Sequence, residues 1–282
     1  MTATPDPIFW CDDRLPHVEL RKVADGRQVC YAPHSHREWS LGAITAGCST
    51  FDYRGQRHYM KAGDLVLINP DWVHNCNPID NQPWSYLMLY VDTHWLTRLR
   101  HDLDQLPAPA WQDLATATQD DPELYQGFCE LADTLLDPDR ELLAKQDRLV
   151  DYLTHLLERV AAAPSPVPVR VPPRIGELAT YLDQHCTDDL SLDALCQQVG
   201  CSPGYLIRAF RQAFGLTPHA YLVNRRIQLG RQQLRQGLPI AEAALNAGFS
   251  DQPHFQRTFK RLVAATPNQY RRQTSSVGAS DS

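Results

Sequence analysis

The sequence predicts an α+β protein of two domains: an antiparallel β-rich domain with appended helices, then an all-α domain holding two helix-turn-helix units. Three observations predict it. Residues 17–92 carry short β-branched and aromatic runs broken by closely spaced turn signals. Residues 121–160 carry apolar stripes at helical spacing. Residues 174–272 contain an internal repeat of a helix–turn–helix pattern.

The candidate strands are Val18–Val23, Leu41–Thr45, Ser49–Tyr53, Leu65–Ile68 and Ser85–Val91. Between them stand turn formers such as Ala24-Asp-Gly26, Arg54-Gly55, Ala62-Gly63-Asp64 and Asn69-Pro-Asp71. Strands of this length and spacing build an antiparallel sandwich or a small barrel. In the helical stretch, Leu124, Phe128, Leu131 and Leu135 form one stripe, and Leu142, Leu149, Leu153, Leu156 and Val160 a second. Packing on the β-rich part satisfies these stripes, and so does pairing with a second copy in a homodimer.

Residues 161–173 read AAAPSPVPVRVPP. Five prolines in thirteen residues form neither a helix nor a central strand, so this segment reads as an extended linker. Residues 1–160 are then one domain and 174–272 the other, with residues 273–282 a small, polar and disordered tail.

A chain of 282 residues with 43% hydrophobic and 21% charged residues has the composition of a globular protein. No apolar run approaches the roughly 20 residues of a membrane span, and residues 1–9 lack the basic and apolar regions of a signal peptide. The eight cysteines contain no CxxC pair and read as reduced thiols, which places the protein in the cytoplasm. The net charge of −6 is uneven. Residues 174–272 hold 12 Lys+Arg against 7 Asp+Glu, a net of +5, whereas residues 1–173 hold 15 against 25, a net of −10. Only the C-terminal block suits a polyanion.

The repeat lays residues 192–221 over 240–270. Gly200-Cys-Ser202 matches Gly248-Phe-Ser250, Phe210 matches Phe259, Thr217-Pro218 matches Thr266-Pro267, and Tyr221 matches Tyr270. Ser191 caps a helix that runs to Val199, and Gly200 supplies the left-handed residue that ends it. Ser202-Pro203 opens the next helix, whose outward residues are Gly204, Ile207, Arg208 and Arg211. In the second copy Ser250 or Asp251 is the cap, and the outward face is Gln252, Pro253, Gln256, Arg257 and Lys260. The units span about 191–214 and 240–262. Arg and Gln on such a second helix can make paired hydrogen bonds to guanine and adenine edges in a major groove. One such unit is equally well a plain bundle with a solvated polar face; two copies alike favour DNA.

The signature Ala244–Lys260, with GFSDQxxFxRxFK inside it, together with the segment from Leu190 to Leu234, resembles the DNA-binding domain of the AraC/XylS family. The resemblance covers residues 174–272. It implies seven helices, a long central one at about His219 to Gln236, and base reading by Ile207, Arg208, Gln252, Gln256 and Arg257, with Arg211 and Lys260 nearer phosphates. Gly204 and Pro253 lack the side chains for that task. The family's usual Phe-Gly before the last Thr-Pro is Val263-Ala264 here, which loosens the turn.

His34, His36 and Glu38, followed by Gly63–Pro70 and His74, resemble the cupin-type β-barrel that serves as effector domain in that family. If the first segment is a strand, residues 34, 36 and 38 share one face. Trp39, Trp72, Trp84, Tyr86 and Tyr90 are candidate walls. Three histidines and a carboxylate are also ligand types of a Zn, Ni or Fe site, but Glu38 lies too close to His36 for the metal-binding cupin pattern. A polar effector pocket without metal or other cofactor is the reading adopted.

The function expected is that of a one-component regulator, not an enzyme. Its partners are double-stranded DNA, a small-molecule effector and, for an activator, RNA polymerase, with a homodimer as a further option. The alternatives are a metal-dependent cupin enzyme fused to a helical domain, and a constitutive DNA binder whose N-terminal domain only dimerises.

Overall fold

The computed structural model describes residues 6–27, 29–160 and 171–274. The N-terminal part contains β1 (Ile8–Trp10), β2 (Val18–Val23), β3 (Trp39–Ala46), β4 (Cys48–Tyr53), β5 (Gln56–Lys61), β6 (Leu65–Ile68), β7 (His74–Pro78), β8 (Ser85–Val91), α1 (Thr93–Asp102), β9 (Thr118–Gln119), α2 (Pro122–Leu136) and α3 (Leu142–Val160). The strands form a six-stranded sheet in the order β1-β2-β8-β3-β6-β9 and a three-stranded one in the order β5-β4-β7, every pairing antiparallel.

Period-two alternation decides what each face of the large sheet touches. Leu41, Leu65, Leu67, Leu87 and Leu89 point to one side, where they share a cluster with Leu124, Phe128, Leu131, Leu153 and Leu156 of α2 and α3. Ile44, Val66, Ile68 and Tyr86 point to the other, against Phe51, Tyr53, Met60 and Cys76 of the small sheet. The two sheets face each other as a jelly-roll sandwich, and no ladder among the described residues closes them into one continuous barrel. The apolar stripes of α2 and α3 are thus taken up by the protein's own sheet and are not open to a second copy.

Four strands (β1, β5, β7 and the two-residue β9) and α1 escaped the sequence reading, for physical reasons. In β5 (QRHYMK) only Met60 is buried, and β7 (HNCNP) buries His74, Asn75 and Cys76 without a β-branched residue. The three-residue β1 is too short to show a period. In α1 only Leu96, Thr97 and Arg100 are buried, so its apolar stripe is weak.

Of the expected linker only residues 171–173 are described, since residues 161–170 lie outside the described residues. From there on the chain is helical: α4 (Pro173–Gln184), α5 (Leu192–Val199), α6 (Pro203–Phe214), α7 (Pro218–Arg235), α8 (Ile240–Asn246), α9 (Gln252–Val263) and α10 (Pro267–Thr274). These are the seven helices that the resemblance implies, with α7 as the long central one. The last helix continues through residues 273 and 274, the first two of the expected tail; residues 275–282 lie outside the described residues.

Candidate DNA-reading face and effector pocket

The first unit is built by local rules. Ser191 Oγ accepts from the Ala194 N–H at 3.1 Å, and Gly200 ends α5 with φ 69°. Ser202 Oγ accepts from the Tyr205 N–H at 3.4 Å and opens α6 on Pro203. In the second unit Asp251, rather than Ser250, is the cap: its carboxylate accepts from the His254 N–H at 2.7 Å. Leu206 and Phe210 of α6, and Phe255, Phe259 and Leu262 of α9, are buried. Gly230 of α7 lies so close to the Phe255 ring that a Cβ there would meet it, which lets α9 seat directly on the central helix.

The opposite faces are open. Arg208 and Arg211 on α6, and Gln252, Arg257 and Lys260 on α9, are exposed, while Ile207 and Gln256 are half-buried. Among the described residues no ion pair engages Arg208, Arg211, Arg257 or Lys260. The four arginines of α7 behave in the opposite way. Arg225 meets Asp183 and Asp71 at 2.7 and 2.8 Å, and Arg226 donates to the carbonyls of Cys186 and Asp188. Arg231 meets Glu19 at 2.9 Å, and Arg235 donates to the Pro16 carbonyl. Cations of the central helix are spent on structure, and those of the two second helices are left for solvent.

The histidines of the N-terminal part also come together, though not as a strand face. Residues 34–38 form an irregular bend, and only His34 pairs with β7, exchanging both backbone hydrogen bonds with His74 at 3.1 and 2.9 Å. The His34 and His74 rings lie 4.5 Å apart and those of His36 and His74 4.8 Å apart. Each imidazole has Nδ1 at 2.8–2.9 Å from a backbone carbonyl: Ala32 for His34, Glu38 for His36 and Trp72 for His74. Nδ1 is therefore the protonated nitrogen and Nε2 an acceptor. Burial, reinforced by the His74 imidazole, holds His34 and His36 well below the usual histidine range, and burial pushes His74 down to about 4.

Glu38 does not join this group. Because the segment is a bend, its carboxylate stops 4.0 Å from His36 Nδ1 and lines a cleft between the N- and C-terminal parts. His36 in turn places Nε2 3.3 Å from Ser40 Oγ. No set of three His, Cys, Asp or Glu among the described residues is arranged to hold a metal ion, so the residues present do not fit the metal-centre alternative. His34 and His74 face the space between the sheets with Tyr31, Trp84, Tyr86 and Tyr90. Side chains fill this space to within about 20 Å³, room for one water. Trp39 packs on the helix side of the large sheet, and Trp72 lines a separate groove against α6. Tyr31 and Arg21, absent from the sequence-derived set, are central to this region: Arg21 Nη1 donates to the Tyr31 hydroxyl at 2.5 Å, which is 2.9 Å from that of Tyr86.

Residues 17–153 match the family model described as AraC-like ligand binding domain, and residues 195–273 match one described as helix-turn-helix domain. The chain is 30% identical over 254 residues to the arabinose operon regulatory protein of Escherichia coli (strain K12), covering 85% of this chain and 82% of that protein. It belongs to the AraC family of transcriptional regulators. A second relative, the HTH-type transcriptional regulator YbfI of Bacillus subtilis (strain 168), is 27% identical over 249 residues, covering 85% of this chain and 86% of its own. ToxT from Vibrio cholerae shares the fold, with a TM-score of 0.58 over 95% of this chain and 99% of that one at 10% identity. The AraC-family chain described here is thus a DNA-binding transcription regulator with a ligand-binding domain in front of its helix-turn-helix domain. No described helix is long and apolar enough to cross a membrane.

Proposed function

We propose that this protein is a one-component cytoplasmic regulator in which a small molecule in the N-terminal domain alters how α6 and α9 hold DNA. Arg208, Gln256 and Arg257 read base edges, helped by Ile207 and Gln252, while Arg211 and Lys260 meet phosphates. One observation carries this reading: Arg208, Arg211, Arg257 and Lys260, exposed and without an ion pair among the described residues, occupy repeat-equivalent positions on two second helices, whereas the arginines of α7 are all engaged.

The effector is held by His34 and His74 together with Tyr31, Tyr86 and Tyr90. The neutral imidazoles offer acceptors and the tyrosines offer hydroxyls, a lining suited to a polar ligand. With about 20 Å³ of interior space, any ligand larger than a water displaces side chains, and that displacement supplies the differential affinity an effector needs. If the protein activates transcription, RNA polymerase is a further partner. A homodimer would use the outward residues of α3, where Leu143 and Val150 stand exposed one heptad apart.

The test is DNA binding across a panel of polar small molecules at fixed salt. A compound that shifts the DNA affinity of the native protein, and no longer does so in His74→Gln, supports the reading. An affinity indifferent to every compound, with none bound by calorimetry, points to the constitutive alternative.

A further inference from the structure

The C-terminal end of α9 has an unusual set of partners. A helix leaves its last carbonyls without intrahelical donors, and the chain that follows normally supplies them. Here the Ala264 N–H donates to the Lys260 carbonyl, and the N-terminal domain supplies donors to others. Ala32 N–H donates to the Arg261 carbonyl at 3.2 Å, and Arg21 donates to the carbonyls of Val263 and Ala264 at 2.7 and 3.2 Å. Arg21 is 1% exposed and its guanidinium has no carboxylate partner among the described residues. It lies over the rings of Phe9, Tyr31 and Tyr86 at 5.0–5.8 Å, so carbonyls, the Tyr31 hydroxyl and aromatic faces carry its charge. A cation at a helix C-terminus also complements the helix dipole. The opposite end of the contact is the effector pocket: Tyr31 stacks on His34 with ring centroids 5.1 Å apart and shares its hydroxyl with Tyr86. The Val263-Ala264 departure from the family pattern falls on the two residues whose carbonyls Arg21 takes.

We infer that Arg21, a residue of the effector domain, is a positioning residue for DNA recognition: held by Tyr31 at the pocket wall, it clamps the C-terminus of α9 and sets the angle at which the second helix-turn-helix unit meets its bases. This rests on α9 being a base-reading helix. Through this contact the second unit is tied to the pocket directly, whereas the first is tied to the effector domain only by way of the shared helix α7. The selectivity arises because α6 has no such tether among the described residues: its Gly215 end lies beside Val73, and no hydrogen bond or ion pair joins α6 to the N-terminal domain.

The experiment uses the full chain and a DNA site obtained by selection, with single base changes placed under each unit. Arg21→Met keeps length and removes the donors, and Arg21→Lys keeps the charge with a less directional head. The expected result is that Arg21→Met lowers discrimination under the second unit about tenfold and leaves the first unit within about twofold, while Arg21→Lys recovers part of the loss and the salt slope is unchanged. A purely structural role would weaken both halves alike, and that outcome overturns the inference, as does no change in either. Arg257→Ala on the same panel separates the two claims. If it relaxes one base pair while Arg21→Met changes nothing, only the positioning role fails; if it too changes nothing, the reading role of α9 fails and the inference with it. Should Arg21→Met not fold, Tyr31→Phe decides: loss confined to the second unit supports the link, and unchanged discrimination overturns it.

Discussion

Glu19 of β2 and Arg231 of α7 meet across the domain boundary at 2.9 Å, with side chains 3% and 10% exposed. Tyr270 completes the group, donating its hydroxyl to Glu19 at 2.8 Å and accepting from Arg231 Nε at 3.2 Å. Around it the central helix grips the N-terminal domain through Asn224 and Gln228, both bonded to the Ser35 carbonyl, and through Arg225, Arg231 and Arg235. The effector domain thus holds the scaffold on which both units are mounted.

Removing one partner of a buried pair strands the other charge. Glu19→Ala or Arg231→Ala is expected to cost about 3–5 kcal/mol, read as a shift of the urea midpoint. The double variant Glu19→Leu/Arg231→Met should recover much of that, since an apolar pair of similar volume leaves no stranded charge. Additive losses in the double variant would show that the two side chains do not depend on each other.

Acid should loosen the N-terminal domain through its histidines. His34, His36 and His74 are neutral in the fold because burial lowers them, His74 to about 4, whereas an unfolded histidine titrates near 6.5. Their contribution is complete above about pH 6.5 and is lost as pH falls, because the unfolded chain takes up protons that the fold refuses. Each contributes a slope of about 1.4 kcal/mol per pH unit in that window. Urea titrations at pH 7, 6 and 5 should therefore show a shallower decline for His74→Gln than for the native chain. An identical decline would mean that His74 is not buried neutral.

On the DNA side, Arg257→Ala should cost about 1–3 kcal/mol and relax preference at one base pair. Lys260→Ala should weaken all sequences alike and reduce the salt slope by about one phosphate contact. Competition assays with base-substituted duplexes at three salt concentrations distinguish these patterns.

Ala264 sits at φ 53°, left-handed backbone where its Cβ is crowded. Ala264→Gly relieves that strain, less the entropy glycine adds to the unfolded chain, and should raise stability by roughly 0.5–1 kcal/mol. A loss of stability in thermal melts would show that the Cβ packs usefully.

Features governed by neighbours in sequence were legible: Ser191, Gly200, Ser202 and Pro203 hold the roles that local rules give them, and β2, β6 and β8 have the bounds that their apolar runs and flanking turn signals imply. The choice between Ser250 and Asp251 was open because both carry a capping oxygen. Glu38 was misplaced because alternation was assumed for a segment that bends before β3 begins. Arg21 and Glu19 were invisible for a different reason. In VELRKV they fall on the face opposite Val18 and Leu20, which in an isolated strand reads as solvent. That face is covered by a segment more than 240 residues further on, a relationship no local pattern encodes.

The most direct measurement is binding of the purified full-length protein to DNA from its own promoter region, at fixed salt and against excess random duplex. Tight, competitor-resistant binding is expected, which Arg208→Ala and Arg257→Ala each weaken on the specific fragment far more than on random DNA. Weak binding, equally displaced by random duplex and insensitive to both substitutions across a broad set of promoters, would contradict it.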